Sequence, residues 1–236
     1  MTSSVETDNL EQGYYKQSGT VLQRRDSVTS GGSLLLFLRD LGPRWVSTPG
    51  SISKNRFGGA AEPLVWGTYD LYQGPGRLYL KSAEVKEDFL SLRSDPVRLM
   101  AAVRFYKNVT KVTMTTHESN HILNILWSSM LLLKEKCPVG IVEFRYIWKL
   151  LNSAGLAPSL SLCCECGTLI SDRASWVKDG LCCDKCCPDR ADIAQAEIAF
   201  LRRAALLEHD KFIKWSIQQE KYALCEVYTK KLLTFF

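Results

Sequence analysis

From residue 20 to residue 85 the chain alternates short apolar runs with turn residues. Residues 20–24 read as a first strand. Gly31-Gly32 turns the chain into residues 33–39, and Leu41-Gly42-Pro43 turns it again. Residues 44–47 begin a third strand, which Thr48-Pro49-Gly50 breaks. Residues 63–72 alternate apolar with polar or small side chains. Gln73-Gly74-Pro75-Gly76 then folds them back onto residues 77–82 as a hairpin. Five or so short strands, with no helix-length pattern between them, suit a small closed barrel.

After residue 85 the period changes. Over residues 87–108 Phe89, Leu92, Leu99, Ala102, Val103, Phe105 and Tyr106 fall at helical spacing. Residues 122–133 form a second helix, apolar almost all round and therefore buried. Residues 142–151 form a third, stopped at residues 152–155 with Pro158 just beyond. Residues 192–209 and 212–236 read as two more. The expected organisation is an acidic flexible tail over 1–16, a barrel over 17–85 and a helical domain over 86–236. A cysteine-rich insertion at about 160–190 interrupts the helices. The fold class is α+β, multidomain.

Composition adds little to this. The chain has 236 residues, 46% hydrophobic and 23% charged, enough to bury a core. Its longest apolar runs fall far short of the roughly 20 residues that span a bilayer. The first six residues show no basic start followed by an apolar stretch, so no secretion signal is expected and the cytoplasm is the expected compartment. Charge is unevenly divided: residues 1–15 carry −3 and residues 16–81 carry +5. A basic N-terminal module hints at a polyanionic partner, set against ordinary solvated charge.

Cysteine changes the picture. Seven of the nine cysteines lie between Cys163 and Cys187. Cys163-Cys164-Glu165-Cys166-Gly167 is followed, with sixteen residues between Cys166 and Cys183, by Cys183-Asp184-Lys185-Cys186. Two CxxC pairs at this spacing point to a four-cysteine zinc site built on two knuckles, with Gly167 as the permissive turn residue. Four thiolates fill a tetrahedral ion, so one structural Zn2+ and no catalysis is expected. Two-residue spacing favours Cys163, Cys166, Cys183 and Cys186. Cys164 can stand in for Cys163, Cys182 for Cys183, and Cys187 is a further spare. A set of reduced buried cysteines is the simpler alternative.

His117-Glu118-Ser119-Asn120-His121 matches the HExxH pattern of zinc metalloproteases. It falls at a helix start, with Thr115 and Glu118 spaced as a capping box, and contains Ser119 and Asn120, poor helix-interior residues. Surface histidines are the better reading. No Gly-rich phosphate loop with a following Lys-Ser/Thr and no GxSxG elbow is present, so no active site and no enzyme is expected.

The barrel segment interleaves Arg24, Arg25, Arg39, Arg44, Lys54, Arg56, Arg77 and Lys81 with Trp45, Phe57, Trp66 and Tyr79. Cations for phosphates and rings for bases suit single-stranded nucleic acid. Trp66 and Tyr79 are expected in the barrel core instead. The candidate nucleic-acid contacts are Arg24, Arg25, Arg39, Arg44, Lys54, Arg56 and Phe57, the last in a Gly-rich stretch unsuited to a core.

The order of barrel, helices and knuckles resembles the DNA repair protein RecO family. Residues 143–158, Glu-Phe-Arg-Tyr-Ile-Trp-Lys-Leu-Leu-Asn-Ser-Ala-Gly-Leu-Ala-Pro, look like that family's helix and turn before the first cysteine pair. Residues 162–167 and 179–186 look like its two knuckles, and Gly50 with Lys54-Asn55-Arg56-Phe57 resembles a segment of its barrel. Pro49 and Asn55 depart from the family's usual Arg and Ser there. The resemblance covers roughly residues 18–236. It implies an N-terminal OB-fold and a non-enzymatic role in DNA recombination and repair. It also implies binding to single- and double-stranded DNA, strand annealing, and contact with the acidic C-terminal tail of single-stranded-DNA-binding protein (SSB). Action with RecR in the RecFOR pathway to load RecA follows, in a nucleoid-associated cytoplasmic protein without a membrane partner. Arg98, Arg104, Lys107, Arg202 and Arg203 are candidates for the SSB-tail site. The competing readings are an RNA- or transcription-associated OB and zinc adaptor, an HExxH metallohydrolase, and a partner-docking structural protein.

Overall fold

A computed structural model describes residues 10–26, 31–49, 57–111, 116–220 and 222–235. Its backbone divides into two compact units. One runs to Leu90 and includes Met114–Leu123; the other comprises Ser91–Thr113 and Asn124–Phe236.

The first unit is built on five strands: β1 (Gly13–Arg25), β2 (Gly32–Leu38), β3 (Gly42–Thr48), β4 (Trp66–Gly74) and β5 (Arg77–Glu87). They follow the order β1-β2-β3-β5-β4 in a closed barrel. Closure depends on β1, which pairs with β4 along its first half and with β2 along its second. The exchange happens at Gly19, opposite both Leu38 and Gly67. A Cβ at Gly19 would lie 2.1 Å from the Phe37 carbonyl oxygen, and one at Gly67 would lie 2.5 Å from that of Glu84. Only glycine lets the backbones approach this closely. A short parallel pairing of β3 with β5, Val46 opposite Leu78, joins the remaining edge.

The barrel core holds Val21, Leu34, Leu36, Leu38, Val46, Phe57, Tyr69, Leu71, Leu78 and Leu80. Inward residues alternate along each strand as the period of two demands. Trp66 is buried as expected, but Tyr79 lies on the outward side of β5, 37% exposed. The first strand starts at Gly13, so residues 13–16 belong to the sheet rather than to a tail. Its polar character there reflects outward positions at Tyr14, Lys16 and Ser18, all exposed.

The second unit contains α1 (Leu90–Arg93) in part, α2 (Pro96–Val109), most of α3 (Thr116–Lys134), α4 (Val139–Ser153), α5 (Gln195–Leu206), α6 (His209–Ser216) and α7 (Tyr222–Leu232). Asp95 breaks the expected helix over 87–108. Its carboxylate accepts from the Val97 and Arg98 amides, and Pro96 takes the first helical position. The expected helix over 212–236 is likewise two, α6 and α7. The buried α4 packs against α2, α5 and α7. The Phe105 and Tyr146 rings stack at 4.2 Å, and the Tyr146 hydroxyl donates to the Phe105 carbonyl at 2.6 Å. Between α4 and α5 lies a two-stranded hairpin, β6 (Ala174–Val177) and β7 (Gly180–Cys183). No described helix is long and apolar enough to cross a membrane.

Candidate metal centre and nucleic-acid interface

Two short loops carry the cysteine pairs. In the first, Leu162 bridges to Leu169, the Cys163 amide donates to the Thr168 carbonyl at 2.9 Å, and the Gly167 amide donates to the Cys163 carbonyl at 2.9 Å. Gly167 supports the turn with a φ of 70°. In the second, the Cys186 and Cys187 amides both donate to the Cys183 carbonyl, at 3.2 and 2.9 Å. The Cys164 amide, donating to the Leu181 carbonyl at 2.8 Å, ties one loop to the other.

The result is that Sγ of Cys163, Cys166, Cys183 and Cys186 lie within 4.8 Å of one another. Among the described residues this is the one group of three or more potential ligands so gathered. Cys166 and Cys183 Sγ are 3.8 Å apart. A tetrahedral zinc with Zn–S bonds of about 2.3 Å needs S–S edges of about 3.8 Å. The donor set therefore fits such an ion.

Backbone amides act on the sulfurs. Burial pushes the Cys163 thiol up, but donors from Cys166, Cys183 and Glu165 outweigh it and bring it down to about 6. The Cys183 amide lies 3.3 Å from the Cys163 sulfur. Thr168 draws Cys166 down as well, with its hydroxyl 3.0 Å from the sulfur. Hydrogen bonding of the Cys186 thiol to the Cys166 and Cys183 sulfurs holds its proton and pushes it up to about 12. The alternative cysteines stand outside the group. Cys164 is exposed, and Cys182, on the opposite face of β7 from Cys183, is fully buried and raised by burial.

Arg202 fastens the knuckle segment to α5. Its guanidinium donates to the carbonyls of Leu160, Ser161 and Ile170. Arg98 similarly serves Leu133, Lys136 and Cys137, and Arg104 pairs with Glu143. Sequence reasoning offered these three arginines for a ligand; the structure uses them within the chain. It assigned no role to Arg145, 3% exposed, whose place among apolar residues of α4 was the available signal.

On the barrel, Arg24 pairs with Glu62 and, at 3.4 Å, with Asp26. Arg25 lies over the Trp45 ring, 4.1 Å from its centroid, and both are exposed. Arg39 is exposed, and Arg44 is half-buried with a bond to the Pro43 carbonyl. Phe57 is a correction: its ring is 6% exposed within the barrel core and is not available to a base. Just after it the chain makes a 3-10 turn through Gly58–Ala61, whose Ala60 and Ala61 are buried. Lys54 and Arg56 lie outside the described residues. Helix α3 begins at Thr116, which puts His117 at a helix start, and His121 is exposed.

The chain thus combines a five-strand barrel unit with a helical unit that carries a four-cysteine cluster. The family model described as recombination protein O C terminal matches residues 93–233, more than half of the chain. DNA repair protein RecO of Alkaliphilus metalliredigens is 27% identical over 175 residues, 72% of this chain and 71% of its own. That of Acetivibrio thermocellus is 26% identical over 178 residues, 73% and 70%. That of Heliobacterium modesticaldum is 27% identical over 207 residues, 83% and 74%. The chain belongs to the RecO family.

Proposed function

We propose that this protein is a non-enzymatic, DNA-binding recombination mediator of DNA repair. It binds single- and double-stranded DNA, anneals complementary strands, and with RecR helps load RecA onto SSB-coated DNA. The observation that carries the reading is the family match of the helical unit in a chain whose first unit has the strand order β1-β2-β3-β5-β4. That order, with β1 shared between two partners, is the arrangement of an OB-fold, a scaffold for oligonucleotides. Arg25 with Trp45, Arg39 and Arg44 are its cationic contacts, with Lys54 and Arg56 assigned from the sequence. Arg24, held by two carboxylates, contributes less.

Annealing requires that repulsion between two strands be offset without fixing their register. Cations that meet phosphates, and rings that meet any base, do this without sequence preference. A structural Zn2+ on Cys163, Cys166, Cys183 and Cys186 holds the hairpin between α4 and α5. For the acidic SSB tail, Arg203 on α5 pairs an exposed cation with Leu206 one turn on, 57% exposed. The compartment is the cytoplasm, at the nucleoid.

The test is equilibrium binding of the purified protein to labelled mixed-sequence single-stranded DNA across a salt series. Affinity that falls steeply with salt and varies little with sequence supports the reading. Absence of binding at low salt overturns it, and preference for RNA over DNA favours an RNA-associated adaptor.

A further inference from the structure

We infer that Tyr14, Tyr72 and Tyr79 form a base-stacking platform for single-stranded DNA on the outer face of β1, β4 and β5. The inference rests on the DNA-binding reading above and names where, on the barrel, unpaired bases lie.

The three residues are in register across adjacent strands, Tyr14 opposite Tyr72 and Tyr72 opposite Tyr79. Register places all three rings on one face. Alternation identifies that face as outward, because Leu71, Leu78 and Leu80 beside them enter the core. Tyr14 is 79% exposed and Tyr79 37%. The Tyr14 and Tyr72 centroids are 5.0 Å apart, tilted by 53°. The row crosses two strand spacings, about 10 Å.

Cations border it. Lys81 Nζ lies 5.2 Å from the Tyr72 ring centroid, and Lys16 and Arg77 are exposed on the same strands. The nearby acids are Asp70, which accepts from the Ser82 hydroxyl, and Glu84 on β5, which pairs with Lys86 and also attracts Lys16. Rings that serve a sheet alone gain by covering one another across the strands. A ring as exposed as Tyr14 covers little. Its open face, with ammonium groups around it, matches an extended anionic strand carrying flat bases. Duplex DNA, with its bases already stacked, does not offer those faces.

The experiment uses the full chain and two labelled oligomers of equal length, one of thymidines and one abasic. Both carry the same phosphates. The unaltered protein is expected to prefer the base-bearing oligomer by about tenfold or more, since each stacked base is worth about 5- to 150-fold. In Tyr14→Ser/Tyr79→Ser that preference falls toward one, while abasic affinity and its salt slope stay unchanged. Should the double variant melt early, Tyr14→Ser alone asks the same question at the most exposed ring. Equal binding of both oligomers by the unaltered protein overturns the platform and leaves DNA binding intact. So does an unchanged preference in the variants. Failure of the unaltered protein to bind either oligomer overturns the DNA reading itself.

Discussion

Arg145 lies buried against Phe212, its guanidinium carbon 4.4 Å from the ring centroid. The same group donates to the carbonyls of Ala204, Ala205 and Leu207, which close the C-terminal end of α5. The last carbonyls of a helix have no partner within it, and its C-terminus favours a cation. One side chain from α4 thus caps α5 and seats α6. Burial costs it some of its charge stability and brings it down to about 10. Arg145→Met is expected to leave three carbonyls unpaired and to destabilise the chain by about 2–4 kcal/mol. Urea unfolding followed by circular dichroism measures it; a midpoint unchanged within error contradicts the cap.

The cysteines divide into two classes by position, and substitution should respect the division. Cys183→Ser is expected to lose the metal and lower the melting temperature, because it removes one corner of the four-sulfur group. Cys164→Ser, at an exposed sulfur outside the group, is expected to keep one zinc per chain and its melting temperature. Chelation of the unaltered protein should reproduce the Cys183→Ser loss. Metal analysis beside thermal melts decides this, and zinc retained by Cys183→Ser would contradict the ligand set.

Gly180 begins β7 at a φ of 131°, and a Cβ there would lie 2.9 Å from Cβ of Pro158. Pro158 is not free to withdraw, since its carbonyl accepts from the Trp148 indole at 3.3 Å. Gly180→Ala therefore meets both backbone strain and a clash, worth about 1–3 kcal/mol. The expected drop is about 2–4 °C in Tm per kcal/mol for a chain of this size. An unchanged melting curve would show that the hairpin shifts without cost.

Much of this was legible from local pattern. The strands after residue 20, the buried helices and the paired CxxC loops each announce themselves through periodicity or spacing. The misses share a cause. Residues 13–16 look like a tail because an outward-facing strand edge is polar, and only pairing with β4 reveals it. Phe57 looks exposed because its neighbours are glycines, while the barrel interior that takes its ring is assembled from distant strands. Arg202 looks like a ligand-binding cation, and Arg145 draws no notice, because the carbonyls they serve lie 32 to 62 positions away. Long-range use of a side chain leaves no local trace.

Around Arg145 two further groups titrate abnormally, and both point the same way. Burial, with Arg145 adding to it, pushes Lys149 down to about 8. Burial also lowers His209, with Arg145 and Lys149 opposing its charge and Asp210 and Glu135 favouring it. For each, the folded value lies below the unfolded one, so between the two the unfolded chain binds more protons and stability rises with pH. The His209 contribution is present above its ordinary value of about 6.5 and is lost as pH falls below that through the lowered folded value. The cost of charging Lys149 is fully present below pH 8 and fades toward about 10.4. Lys149→Met is therefore expected to be more stable than the unaltered protein at neutral pH, with the difference shrinking toward pH 10. His209→Gln should flatten the acid side alone. Because the cysteine cluster also responds to acid, the measurement is the difference in urea midpoint between variant and unaltered protein at each pH from 5 to 10. A Lys149→Met difference that does not change with pH would mean that the substitution acts through packing and not through the lysine's charge.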